Sequence, residues 1–149
     1  MNETDISKYI TETYENVRPA GAWGDTFFYY NPTENLPDEI YFATLKASDD
    51  DYDKYSNLNR ESVFRLSIGV SKPTYISLFG QPSQDQGAFD TRFDYTVVDK
   101  LIPHPVYGRI FWVCILNPGD ETFRETVKPL LDDAYDLAVS KFGKRSARK

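Results

Sequence analysis

Cysteine and histidine each occur once in this 149-residue chain, as Cys114 and His104. A lone thiol forms no internal disulfide, which fits a reducing cytosol. One Cys and one His are too few soft ligands for a zinc site. Glycine-rich phosphate cradles are missing, since neither G-x-x-x-x-G-K-[ST] nor G-x-G-x-x-G occurs. Gly21 and Gly24, either side of Trp23, read as a turn instead. Long apolar runs are also lacking. The longest, Ile110 to Leu116, falls far short of the roughly 20 residues that span a bilayer, so no membrane partner is expected. The N-terminal MNETDISKYI lacks the basic and apolar regions of a secretory signal, and a cytoplasmic location is expected. Positive charge is in deficit. Seventeen basic residues against 23 acidic ones give a net charge of −6, which repels phosphate and disfavours non-specific DNA binding.

What is present points to a packed globule. Hydrophobic residues make up 40% and aromatics 15%, enough for a real core. The length predicts one domain over 1–149, with a frayed basic tail over 143–149. Ile6, Tyr9, Ile10, Thr13 and Val17 recur at helical spacing. They predict a helix from Asp5 to Asn16, capped by Thr4 or Asp5 and ended by Pro19 and Gly21. Thr26–Tyr30 and Ile40–Lys46 read as a strand pair. Val63–Val70 alternates: Phe64, Leu66, Ile68 and Val70 take one face, and Arg65, Ser67 and Gly69 the other, as in a half-buried strand. Ser71 caps a short helix with Pro73 in its first turn and Gly80 past its end. Residues 81–87 read as a flexible loop. Phe93–Val98 reads as a short strand, and Arg109–Leu116 as a central one with two apolar faces. Phe123, Val127, Leu130, Leu131, Ala134, Ala138 and Phe142 form the stripe of a last helix, capped by Asp120 and kinked or divided at Pro129.

Two stretches carry a resemblance. SNLNRESVFRLSIGVSK and PHPVYGRIFWVCILNP resemble a bacterial domain family of unknown function with the patterns S-N-L-D-R…F-R-L-x-I-G-V and P-H-P-V-Y…W-V-x-V-L-N-P. The closing LLDDAYDLAVSKFGKR is similar to the ending of the YjbR/MmcQ-like group. Leu130, Leu131, Tyr135, Leu137 and Lys141 match that ending; Ala134 and Phe142-Gly143 depart from it. This second resemblance implies an α+β fold, an antiparallel sheet with packed helices, of the YjbR-like double-wing kind. It also brings DNA binding into consideration.

Few constellations suggest chemistry. His104 sits between Pro103 and Pro105, followed by Tyr107. Its ordinary pKa suits a general acid or base, but no partner completes a triad, and a ring that hydrogen-bonds backbone to fix the corner fits as well. Cys114 lies mid-strand, where burial makes a thiol inert. Asp49, Asp51 and Asp53 mimic the first positions of a calcium loop. Lys54 and Arg60 stand where glycine and glutamate are required, so no metal is expected. Asn57, Arg60 and Arg65 are candidates to grip a carboxylate or phosphate, or to tie to the nearby aspartates. Lys141, Lys144, Arg145 and Arg148 are the nucleic-acid candidates, or simply favour the helix C-terminus.

The leading expectation is a non-catalytic binding or interaction domain for an unknown small molecule or protein, without cofactor. Its surface would combine the SNLNR loop, Arg65, His104 and Tyr107. A DNA-binding module and a small enzyme using His104 are the alternatives.

Overall fold

The computed structural model describes residues 1–22, 24–33, 35–82 and 92–147. Most of the 81–87 loop, Trp23 and the tail residue Arg148 lie outside the described residues. The fold is α+β, with a six-stranded antiparallel sheet of order β1-β2-β3-β4-β6-β5.

Helix α1 (Glu3–Thr13) is capped by Asn2, two residues earlier than expected. The Asn2 side chain accepts from the Asp5 amide while Asp5 accepts from the Asn2 amide. Its apolar residues Ile6 and Ile10 are fully buried. Asn16 then turns the chain in a left-handed conformation, φ 63°, and β1 (Val17–Ala22) follows. The sequence reading made this stretch a helix end. Pro19 and Gly21 instead lie in an edge strand, where a residue without an N–H leaves no ladder bond unmade.

Strands β2 (Asp25–Tyr30) and β3 (Tyr41–Lys46) pair as the alternation predicts, with a bulge between Phe28 and Tyr29. Strand β4 (Arg65–Gly69) pairs with β3 on one side and β6 (Trp112–Leu116) on the other. All five β4 residues are buried, so the strand is not half-exposed. The β3–β4 loop covers part of its second face, because Ser56 and Leu58 fold inward. Helix α2 (Lys72–Phe79) runs between the Ser71 cap and Gly80 as expected. The stretch Phe93–Val98 is a set of turns rather than a strand. Only Val98 bridges to Leu116, while Phe93, Tyr95 and Val97 pack on Ile102 and Cys114 in a small second core. Strand β5 is Ile102–Pro103, and Gly108–Ile110 forms a 3₁₀ turn before β6, shortening the expected strand.

The C-terminal helical run begins with Asp120–Thr122 (α3), with Gly119 rather than Asp120 at the cap. It widens into a π turn over Phe123–Val127 and continues as α4 (Lys128–Ala147). Pro129 explains the widening. Its ring would press on the carbonyl of Glu125, and a looser turn relieves that clash. The expected stripe faces inward: Phe123, Val127, Leu130, Leu131, Ala134 and Ala138 are buried against Phe28, Phe42, Leu66, Ile68 and Ile115 of the sheet. Hydrogen bonds lock the helices together. Tyr14 donates to Asp132 at 2.6 Å, and Ser71 and Thr74 both donate to Asp133. The sheet therefore has one face sealed by α1 and α4 and a second face that, among the described residues, is covered by loops and turns.

Candidate ligand-binding cavity

The loop-covered face holds a cavity of about 800 Å³. Strand alternation decides most of its lining. When Phe28, Leu45, Leu66 and Val113 point to the helices, their neighbours along each strand point the other way, and in β3 the bulge adds Tyr41 to the same face as Thr44 and Lys46. Asp25, Phe27 and Tyr29 come from β2, Tyr41, Thr44 and Lys46 from β3, Arg65 and Ser67 from β4, and Trp112 from β6. The β3–β4 loop adds Asp50 to Asp53, and the turn after β5 adds His104, Val106, Tyr107 and Ile110.

The aromatic residues form a connected wall. Phe27 and Tyr29 stack at 6.2 Å, Phe27 meets Tyr41 edge-on at 5.1 Å, and Tyr41 meets Trp112 at 5.6 Å. Gly69 makes this possible. A Cβ there would stand 2.7 Å from the Trp112 ring, so the indole lies across β4 only because the side chain is missing. Tyr52, Tyr107 and Ile110 at the rim are 86%, 46% and 57% exposed. Four of the eight exposed large hydrophobic residues among those described line this one opening. Such clustering is characteristic of recognition surfaces.

The other end of the cavity is polar and buried. Arg65 is 1% exposed and makes a forked pair with Asp53: Nη1 donates to Oδ1 at 3.0 Å and Nη2 to Oδ2. Nη1 also donates to Ser56 Oγ at 3.0 Å. Burial alone would lower the pKa of this guanidinium, and the Asp53 pairing more than offsets it. Lys46 is held between Asp25, at 3.2 Å, and Asp50, at 2.5 Å. Desolvation opposes the ammonium, yet the two carboxylates outweigh it and raise the Lys46 pKa. Desolvation also raises the Asp25 pKa, whereas the Lys46 hydrogen bond lowers that of Asp50.

His104 stands beside Arg65. Its Nδ1 accepts two backbone hydrogen bonds, from Val106 and Tyr107, each at 3.0 Å. That assigns the proton to Nε2, which lies 3.6 Å from Asp53 Oδ2 and 3.2 Å from Arg65 Nη2. Burial, reinforced by the Arg65 and Lys46 charges, holds its pKa well below the ordinary value. The ring is therefore neutral at neutral pH, with its one lone pair committed to the turn. It shapes the corner and presents a donor, an arrangement unsuited to general base catalysis.

Among the described residues, two buried side-chain polar atoms have no hydrogen-bond partner: Arg65 Nε and Ser67 Oγ. Ser67 is 1% exposed and sits on the cavity face of β4. Buried groups of this kind are almost always satisfied, by protein, water or ligand.

Of the residues singled out in the sequence, the fold brings Arg65, His104 and Tyr107 to one cavity. Asn57 and Arg60 are elsewhere. Asn57 is exposed at φ 52°, and Arg60 donates to the carbonyls of Ser56, Asn57 and Thr96, pinning the loop to the turns after residue 92. Two members of the acidic ladder are used internally, since Asp49 accepts from the Leu58 amide and Asp53 binds Arg65, while Asp51 lines the cavity; the intervening Asp50 binds Lys46. Cys114 is fully buried and desolvation pushes its thiol up to about 12. Lys141, Lys144 and Arg145 ride on the last turns of α4 outside the cavity, and Arg145 pairs with Glu39 at 3.3 Å. Sequence reasoning missed Asp25, Phe27, Tyr29, Tyr41, Lys46, Ser67 and Trp112. The signal for most of them was the alternate register of strands it had already drawn.

A family of unknown function, DUF6194, matches residues 1–147. The chain belongs to this family. No curated protein and no solved structure matches it. No helix among the described residues is long and apolar enough to cross a membrane.

Proposed function

We propose that the protein is a non-catalytic binding domain that takes a small organic molecule into the cavity on the loop-covered face of the sheet. The observation that carries this reading is Ser67 Oγ. It is a buried hydroxyl without a partner, beneath an aromatic-lined opening of ligand size. The enzyme reading is weaker, because His104 has neither a free lone pair nor a pKa near neutrality. Kinship with the double-wing group rests on the α4 residues Leu130, Leu131, Tyr135, Leu137 and Lys141. DNA binding gains nothing from the cavity, which carries four aspartates against two cationic residues.

The test is a fragment screen by protein-observed NMR, with neutral, cationic and anionic fragments. Hits should move the Trp112 indole and Tyr41 signals, and Thr44→Phe, which fills the cavity from β3, should abolish them. If no fragment perturbs these signals at millimolar concentration, or if every hit survives in Thr44→Phe, the cavity is not a binding site.

A further inference from the structure

We infer that the ligand is an organic ammonium cation, held by cation–π contact with Tyr41 and Trp112 and by the acidic excess of the cavity. This inference rests on the binding-site reading above and names its ligand class.

Charge accounting disfavours the opposite sign. Both cations of the cavity already have carboxylate partners, Lys46 in Asp25 and Asp50, and Arg65 in Asp53. An incoming anion would find one free donor, Arg65 Nε, on a guanidinium already forked to Asp53, and would face Asp51 at the mouth. The lining holds two more carboxylates than cations, and His104 adds no charge. A cation entering this space therefore gains from the net field, strengthened by low-dielectric walls.

The apolar walls favour the same class. Aromatic faces carry negative charge density, and Trp and Tyr attract ammonium groups that have shed water. Tyr29, Tyr41 and Trp112 all line the cavity and meet at tilted and edge-on angles rather than stacked face to face. Ser67 Oγ supplies an acceptor at the floor for an N–H or hydroxyl of the same ligand.

The experiment compares three probes of one shape and different charge. They are choline, its neutral isostere with carbon in place of nitrogen, and the carboxylate bearing the same tert-butyl group. Each is titrated against the full chain while the Trp112 indole signal is followed by NMR. Choline should bind with Kd on the order of 1 mM or tighter, about tenfold tighter than the neutral isostere, and the carboxylate should bind weakest. Tyr41→Leu should weaken choline roughly threefold and leave the isostere unchanged. Asp51→Asn should do the same more mildly, and added salt should reduce the preference. Equal or tighter binding of the neutral or anionic probe overturns the cation assignment and leaves the cavity reading standing. So does silence from all three probes while other fragments bind at Trp112. Silence from every probe and every fragment overturns both.

Discussion

The forked Arg65–Asp53 pair offers a demanding test of the buried face. Arg65 is 1% exposed and Asp53 8%, so neither charge retains much water. Removing one partner strands the other in a low-dielectric site. For Asp53→Leu the expected loss is about 3–5 kcal/mol, because the guanidinium cannot shed its proton. In a chain of 149 residues each kcal/mol corresponds to roughly 2–4 °C, so melting should fall on the order of 10 °C. Arg65→Met should also destabilise, because it strands the Asp53 carboxylate without its forked partner. The double variant Asp53→Leu/Arg65→Met should recover most of the loss, because well-packed apolar groups replace a buried pair at little net cost. Urea denaturation of the four proteins at pH 7 gives the coupling energy directly. A coupling of about 2 kcal/mol or more is expected. Additive single losses, or an Asp53→Leu variant as stable as the parent, would show that the pair is solvated and the account of this face wrong.

Three further outcomes are expected. The neutral burial of His104 lowers its folded-state pKa, so the unfolded chain binds the extra proton. Stability should be full above about pH 6.5 and fall by up to about 1.4 kcal/mol per pH unit below it. His104→Gln should remove that slope while its carbonyl still accepts from the turn, and His104→Ala should cost roughly 1–3 kcal/mol; an unchanged acid slope in His104→Gln would contradict the assignment. Gly69→Ala places a methyl against the Trp112 ring and should cost about 1–3 kcal/mol with a shift in indole fluorescence, whereas an unaltered spectrum and melting curve would show the strand yielding freely. Cys114 should resist thiol reagents at pH 8 until denaturant is added, and rapid labelling of the native protein would contradict its burial.

The elements with strong local signals were legible in the sequence. Alternation in Phe64 to Val70, the Ser71–Gly80 helix and the apolar stripe of α4 all stand where pattern places them. Misreadings fell where tertiary context overrules composition. The Val17–Ala22 segment looks like a turn because of Pro19 and Gly21, and only its place at the sheet edge makes it a strand. Phe93–Val98 has strand composition, but it packs as a cover over Ile102 and Cys114. Only a small part of the candidate site was visible, as Arg65, His104 and Tyr107. The rest was not, because no local pattern states that β2, β3, β4 and β6 lie side by side. Once they do, Phe27, Tyr41, Lys46, Ser67 and Trp112 become neighbours although they are far apart along the chain.

The two faces of the sheet differ in a way that bears on function. The helix-covered face is filled mainly by apolar residues that need no partners. Its opposite face uses the same strands to bury a lysine, an arginine and a neutral histidine, and leaves Ser67 and Arg65 Nε unsatisfied. Each of these costs free energy that methyl groups in the same positions would not. A face required only for stability would be packed like the first, and its aromatic residues would close over their neighbours. Here Tyr52 and Tyr107 stand open to solvent, and Gly69 keeps the Trp112 ring flat across the strand at the expense of a packed side chain. An open aromatic wall, an excess of carboxylates and the free Ser67 hydroxyl in one cavity suit the positively charged guest proposed above. That is why the binding reading is drawn from this face.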